Sequence, residues 1–159
     1  MTALRELRDL YEDHMRESST LPEHAWPTLS TRYKGKPEKK IKKQIVDYIK
    51  WSQAGDAWAV ENQGQYVPGK VEFNVIGKAV QVSKSRFMYS ANRTGHSDIQ
   101  AIVGGRALFI ELKRIYAKGK DRQSKVQKKF QASVEAAGAT YMIVHDLDDF
   151  VVKFKEYMK

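Results

Sequence analysis

The chain contains no cysteine. That excludes disulfides, thiolate metal sites and cysteine nucleophiles, and is compatible with a reducing, cytoplasmic setting. Proline is scarce, and three of the four prolines fall between residues 18 and 37. No apolar run approaches the ~18 residues that would mark a transmembrane helix. The first residues, MTALRELRDLYEDHMRE, carry charges throughout and do not read as a secretory signal. Paired histidines at metal-binding spacing, a Gly-rich phosphate loop ending in Lys-Ser/Thr and a GxSxG elbow are also missing. Zinc chemistry, nucleotide hydrolysis by a P-loop and serine acyl transfer are therefore not indicated. His14, His24, His96 and His145 are scattered, and His96 is expected to anchor its loop.

Acidic charge is in the minority. The formal net charge of the 159 residues is +9. Eight basic residues stand against two acidic ones from Arg32 to Lys50, and eight against one from Lys113 to Lys129. The first 24 residues are net acidic. Two basic stretches on either side of one segment read as a footprint for a polyanion, most simply nucleic acid.

The segment between them is DIQAIVGGRALFIELKR, Asp98 to Arg114. Gly104-Gly105 separates two apolar runs and suits a two-residue turn in which both central residues have positive φ. Such a turn pairs Val103 with Arg106, Ala101 with Leu108, and Asp98 with Glu111. Directly paired side chains share a face, so the two carboxylates are expected roughly 5 Å apart at Cβ, where like charges destabilise the pair. Lys113 falls on the face of Glu111, and Leu108, Ile110 and Leu112 fall on the other, core face. Two close carboxylates in a basic setting are explained by a hard divalent cation such as Mg²⁺, which takes oxygen ligands and substrate phosphate. Lys113 would then sit beside the attacked phosphate.

Periodicity predicts helices over 3–17 (stripe Leu4, Leu7, Tyr11, Met15), 38–54 (Ile41, Ile45, Tyr48, Ile49; ended by Gly55), 125–137 (Val126, Phe130, Val134) and after the Asp146 N-cap (Leu147, Phe150, Val151, Phe154). Trp26 and Tyr33, in the irregular stretch 18–37, are expected to pack. Strands are expected over 57–63, 70–76, 79–83, 86–90, on either side of Gly104-Gly105, and over 140–145. The order predicts an α/β fold with a mixed sheet flanked by helices. Glu38 lies on the inward edge of its helix and is either a first-turn charge complementing the dipole or a metal-shell group. Gln127, three residues after Ser124, fits a capping box, yet in a helix's first turn it could equally face a cleft.

These residues resemble a known family. GHSD, twelve residues, then ELK, with a helix-borne Glu38 upstream and DRQSKVQKKF and GATYMIVHDLDDF downstream, is similar to the PD-(D/E)XK nuclease superfamily. The likeness is nearest to its VRR-NUC branch, whose stand-alone members occur in phages and resemble Holliday-junction resolvases. It spans about residues 37–152. It implies a restriction-endonuclease-like domain over 37–159; residues 64–90, longer than the minimal domain, are expected as an inserted β-hairpin, and residues 1–36, an N-terminal helix and linker, lie outside the likeness. It implies Glu38, Asp98, Glu111 and the Leu112 carbonyl as ligands of Mg²⁺ or Mn²⁺, Lys113 as catalytic lysine and Gln127 as a supporting group. The superfamily's Pro before Asp is Ser97 here, a change expected to loosen the turn.

The expected activity is metal-dependent DNA endonuclease cleavage leaving 5′-phosphate and 3′-hydroxyl ends, on branched or four-way junction DNA. A homodimer would supply two sites to such a substrate. Lys39, Lys42, Lys43, Arg114, Lys118, Lys120, Arg122 and Lys125 are the expected phosphate contacts. The alternatives are a sequence-preferring endonuclease of restriction or homing type, and a non-catalytic nucleic-acid-binding protein on a nuclease fold.

Overall fold

A computed structural model describes residues 2–60, 65–67, 71–73, 78–81, 83–84, 86–88, 95–113 and 123–159. In chain order the elements are α1 (Ala3–Ser18), a 3₁₀ turn (Glu23–Ala25), α2 (Leu29–Arg32), α3 (Pro37–Trp51), β1 (Gly55–Ala59), β2 (Gln65–Val67), β3 (Val71–Phe73), β4 (Ala79–Gln81), β5 (Arg86–Met88), β6 (Ile99–Val103), β7 (Arg106–Leu112), α4 (Lys125–Ala136), β8 (Thr140–Val144) and α5 (Leu147–Tyr157). Four strands form the main sheet in the order β1-β6-β7-β8. The first two pairings are antiparallel, and β7 runs parallel to β8. This is the expected α/β arrangement, a mixed sheet flanked by helices. The parallel pair requires a crossover, which α4 provides.

The hairpin has the register read from its turn. Val103 pairs with Arg106 and Ala101 with Leu108. Gly104 and Gly105 have φ of 55° and 75°, the double positive φ that the tight turn needs. Leu108, Ile110 and Leu112 are buried on one face, with Ile99, Val103 and Val144. The helices α1, α3 and α5 close this core through Leu7, Ile45, Ile49 and Phe150. The Tyr48 ring meets Phe150 edge-on at 5.7 Å.

Three sequence expectations shift. The α1 stripe is Ala3, Leu7 and Tyr11, whereas Leu4 is exposed. The Ala3 end lies against α5, where Asp148 Oδ1 accepts from Ala3 N at 2.9 Å. Val126 of α4 is also exposed, because α4 packs mainly through Phe130 against Phe109 and Tyr141. In the segment 64–90, expected as an inserted hairpin, β2 pairs with β5 and, nested inside that pair, β3 with β4, both antiparallel, which is the pairing pattern of a hairpin. Residues 74–77 lie outside the described residues.

The third is Gly55. Helix α3 stops at Trp51 and turns through Gln53, at φ 54°, so Gly55 does not end the helix. It opens β1 opposite Val103. A Cβ on Gly55 would stand 1.9 Å from the Ile102 carbonyl oxygen. Backbone cannot rotate out of the way as a side chain can. Gly55→Ala is therefore expected to lower stability by about 1–3 kcal/mol, the scale of overpacking. Urea unfolding monitored by circular dichroism reads this, and an unchanged midpoint would refute the close approach.

The linker 18–37 is tied to the core. Arg32 makes a two-pronged contact with Asp47 at 2.9 and 3.0 Å and stacks over Trp51 at 4.8 Å. Tyr33 is buried, as expected. Tyr11 donates its hydroxyl to the Pro27 carbonyl at 2.6 Å.

Candidate active site

At the open end of the β6–β7 hairpin the ladder ends at the Ile99–Ile110 pair, and Asp98 and Glu111 are the next residues on the two chains, near enough for the charge of Asp98 to act on the Glu111 carboxyl. Asp98 is fixed by the backbone. Its Oδ2 accepts from Leu112 N at 2.9 Å, and its own carbonyl accepts from Val60 N at 2.8 Å. The turn before it is held by Ser97, fully buried, whose hydroxyl donates to the Ile99 carbonyl at 3.0 Å. Serine thus ties the turn through a hydrogen bond.

Glu111 is 3% exposed. It faces away from the aliphatic core, toward α4 and Tyr141. Lys113 Nζ lies 2.9 Å from Glu111 Oε1. Gln127 Nε2 donates to the same oxygen, and Tyr141 donates its hydroxyl to Oε2 at 3.4 Å. Burial is the main force on this carboxyl and pushes its pKa up; Lys113 opposes the shift and the charge of Asp98 adds to it. A carboxyl raised in the folded state binds protons more tightly there than in the unfolded chain. Folding is therefore disfavoured as pH climbs from the ordinary carboxylate value through the raised one.

Lys113 is positioned from both sides. Its backbone N–H donates to the Val144 carbonyl at 2.9 Å, and its carbonyl meets His145 Nδ1 at 2.7 Å. Its ammonium also donates to Gln127 Oε1 at 3.3 Å. Gln127 serves both roles considered for it. It completes the capping box, accepting from Ser124 N at 2.9 Å while its own N–H donates to Ser124 Oγ at 3.2 Å. The same side chain bridges Lys113 and Glu111. In Gln127→Glu the cap survives, but a second carboxylate is set against buried Glu111 where an amide donor stood. If the chain is the nuclease proposed below, single-turnover cleavage should fall by on the order of 10²-fold, the scale of one lost electrostatic contact. Full activity in a stable Gln127→Glu protein would reduce this residue to a cap.

Glu38 stands in the first turn of α3, where Pro37 occupies the first helical position. Lys42, one turn on, reaches both sides: its ammonium is 2.9 Å from Glu38 Oε1 and 2.7 Å from Asp98 Oδ1. Burial opposes the charge on Lys42, and the hydrogen bonds to Asp98 and Glu38 outweigh it, so its pKa is raised. Two carboxylates from different elements thus converge on one cationic centre. Oxygen donors of this kind suit Mg²⁺ or Mn²⁺, which need only one or two carboxylates besides water and phosphate. Among the described residues no three acidic or histidine side chains gather as a ready-made metal cage. Glu38 and Asp98, which share the Lys42 ammonium, are the pair whose oxygens fit a hard divalent ion held by few protein ligands.

Beside Glu38 and Asp98 opens a cavity of about 560 Å³, walled by Arg32, Lys34, Lys39, Lys42 and Lys43 over a floor of Val46, Ala59 and Val60. Lys39 and Lys43 of the expected phosphate contacts therefore border the carboxylates, while Lys42 is engaged by them. Lys125 is exposed at the start of α4. Arg114, Lys118, Lys120 and Arg122 lie outside the described residues.

Sequence reasoning missed three supports of the site: Ser97, Tyr141 and His145. It also missed the bridging role of Lys42. A Glu four residues before a Lys on one helix is a readable signal for Glu38–Lys42; the Asp98 half has no local signal. No protein-family model matches the chain, and no curated protein matches it either.

Proposed function

We propose that this chain is a divalent-metal-dependent nuclease acting on DNA, with branched DNA as the preferred substrate. The observation that carries the reading is the hairpin end itself, where Asp98 accepts from Leu112 N and Lys113, two residues beyond Glu111 on the same strand face, is held by Glu111 and Gln127. The α-β-β-β-α-β order from α3 through β1, β6, β7 and α4 to β8 agrees with the resemblance to PD-(D/E)XK nucleases of the VRR-NUC type.

Glu38, Asp98, Glu111 and the Leu112 carbonyl would hold Mg²⁺ or Mn²⁺. A bound divalent ion supplies Lewis-acid polarisation of the phosphodiester and a lowered pKa for water. The chain's own groups do the rest. Lys113 orients the attacking water and stabilises negative charge developing on the phosphate. Gln127 keeps the ammonium from swinging away. Lys39 and Lys43 hold flanking phosphates, contacts that position DNA without reading its sequence. A branched substrate with two-fold symmetry needs two cuts, which a homodimer supplies. Among the described residues no helix is long and apolar enough to cross a membrane.

The test is incubation of purified protein with labelled four-way junction, flap, single-stranded and plain duplex DNA in Mg²⁺, Mn²⁺ or EDTA. Cleavage in either metal, abolished by EDTA and strongest on junction or flap, is the expected result. Binding with no cleavage under any condition would make the protein a DNA-binding module whose site ion pairs are structural.

A further inference from the structure

Lys42 is the residue with the least expected position. A surface lysine on a basic helix face would be expected to extend into solvent. This one is folded back, its side chain 18% exposed, between Glu38 of its own helix and Asp98 at the start of β6. It forms one wall of the basic cavity, so the same ammonium stands at the border between the carboxylates and the phosphate-binding side.

We propose that Lys42 is a resident counter-cation that couples metal loading to DNA binding. In the metal-free chain it neutralises Glu38 and Asp98 and suppresses their repulsion, and in doing so occupies the oxygens a divalent ion needs. When those oxygens are taken, Lys42 is set free inside the cavity beside Lys39 and Lys43, where it becomes an additional contact to phosphate. One side chain thus makes two binding events interdependent, and by linkage DNA must tighten metal binding by the same factor that metal tightens DNA. The inference rests on the metal-dependent reading above. It adds that metal-free protein is held in a self-neutralised state, with a weak affinity for metal and one phosphate contact withheld.

The experiment has two readouts, neither of them cleavage. Mn²⁺ binding to DNA-free protein is followed by electron paramagnetic resonance for wild type, Lys42→Met and Lys42→Arg. Lys42→Met removes the competitor and should bind Mn²⁺ about tenfold tighter, from the loss of a unit charge beside the ion. Lys42→Arg keeps the charge and should bind like wild type. Junction binding is then measured by anisotropy over a range of salt, in Ca²⁺ and in EDTA. In Ca²⁺ the salt slope of Lys42→Met should be smaller than that of wild type by roughly 0.9, the value of one phosphate contact. In EDTA the two slopes should coincide. Should Lys42→Met not fold, Lys42→Gln, which can still donate to one carboxylate, replaces it with the same expectations. Wild type that binds Mn²⁺ while Lys42→Met binds no tighter would overturn this inference and leave the metal-centre reading standing. No Mn²⁺ binding by any of the proteins would overturn both.

Discussion

Asp98→Asn and Glu111→Gln are each expected to abolish cleavage while the protein stays folded and bound to DNA. Loss of one carboxylate from a metal centre removes several kcal/mol of transition-state stabilisation, and about 4 kcal/mol is already on the order of 10³-fold in rate. Binding to DNA should hold or tighten, because a negative charge facing phosphate has been removed. The fold should tolerate both changes, for different reasons. In Asp98→Asn the side-chain oxygen can still accept from Leu112 N, and Lys42 keeps Glu38. In Glu111→Gln the buried ion pair with Lys113 is lost, but the amide oxygen can still accept from Gln127, Lys113 keeps Gln127 Oε1, and a carboxyl whose ionisation burial opposes becomes neutral, so the cost is partly offset. The wild-type chain loses stability as pH rises through the raised pKa of Glu111, and the variant should lack that component of the pH dependence. Single-turnover cleavage in Mg²⁺, junction binding in Ca²⁺ and melting temperatures from pH 4 to about 8, a range that spans ordinary and raised carboxylate values, test the three statements together. Near-wild-type cleavage by either variant would remove the metal site from the hairpin.

Lys113→Met should slow cleavage by a factor on the order of 10²–10³ with metal binding nearly unchanged, because a transition-state contact is lost and no ligand is. The structure adds a stability effect. Lys113 and Glu111 are an almost fully buried ion pair, their side chains 12% and 4% exposed. Removing one partner of such a pair typically costs about 3–5 kcal/mol, here softened by Gln127 and Tyr141, which still donate to the carboxylate. The destabilisation should shrink when Glu111 is also replaced, so Lys113→Met with Glu111→Gln should melt above Lys113→Met alone. Neighbours that share a contact are non-additive in this way. Additive melting shifts would mean the two side chains do not interact, and an unaltered cleavage rate in Lys113→Met would end its catalytic assignment.

Much of the site was legible because it is local. Gly104-Gly105 and the alternation on either side of it set the register that pairs Val103 with Arg106 and Ala101 with Leu108, and put Lys113 on the same face as Glu111. The Ser124–Gln127 spacing announced the capping box, and Asp146 announced the start of α5, where its side chain accepts from Asp149 N. The errors were also local in origin. The stripe through Leu4 was one residue off, since period alone does not say where a helix meets its neighbour. Gly55 looked like a helix stop because glycine serves both helix ends and close backbone approaches, and only the position of Ile102 separates the two.

The sequence by itself determined the element types, the hairpin with its register and turn, and the two basic stretches on either side of it. Each of these follows from spacing along the chain, in steps of two, three or four residues. Only the tertiary structure decided that Lys42 spans Glu38 and Asp98, that Gln127 reaches Lys113 and Glu111 as well as its cap, that Ser97 takes over the role of turn anchor, and that Tyr141 and His145 support the site from β8 and its end. Apart from the short-range Ser97–Ile99 bond, the Glu38–Lys42 pair and the Ser124 cap, those contacts join residues 14 to 56 positions apart in the chain. Side-chain periodicity tells which face a residue occupies; what stands opposite that face is set by how helices pack on the sheet and by the crossover through α4, and a hydrogen bond or ion pair exists only once both are in place.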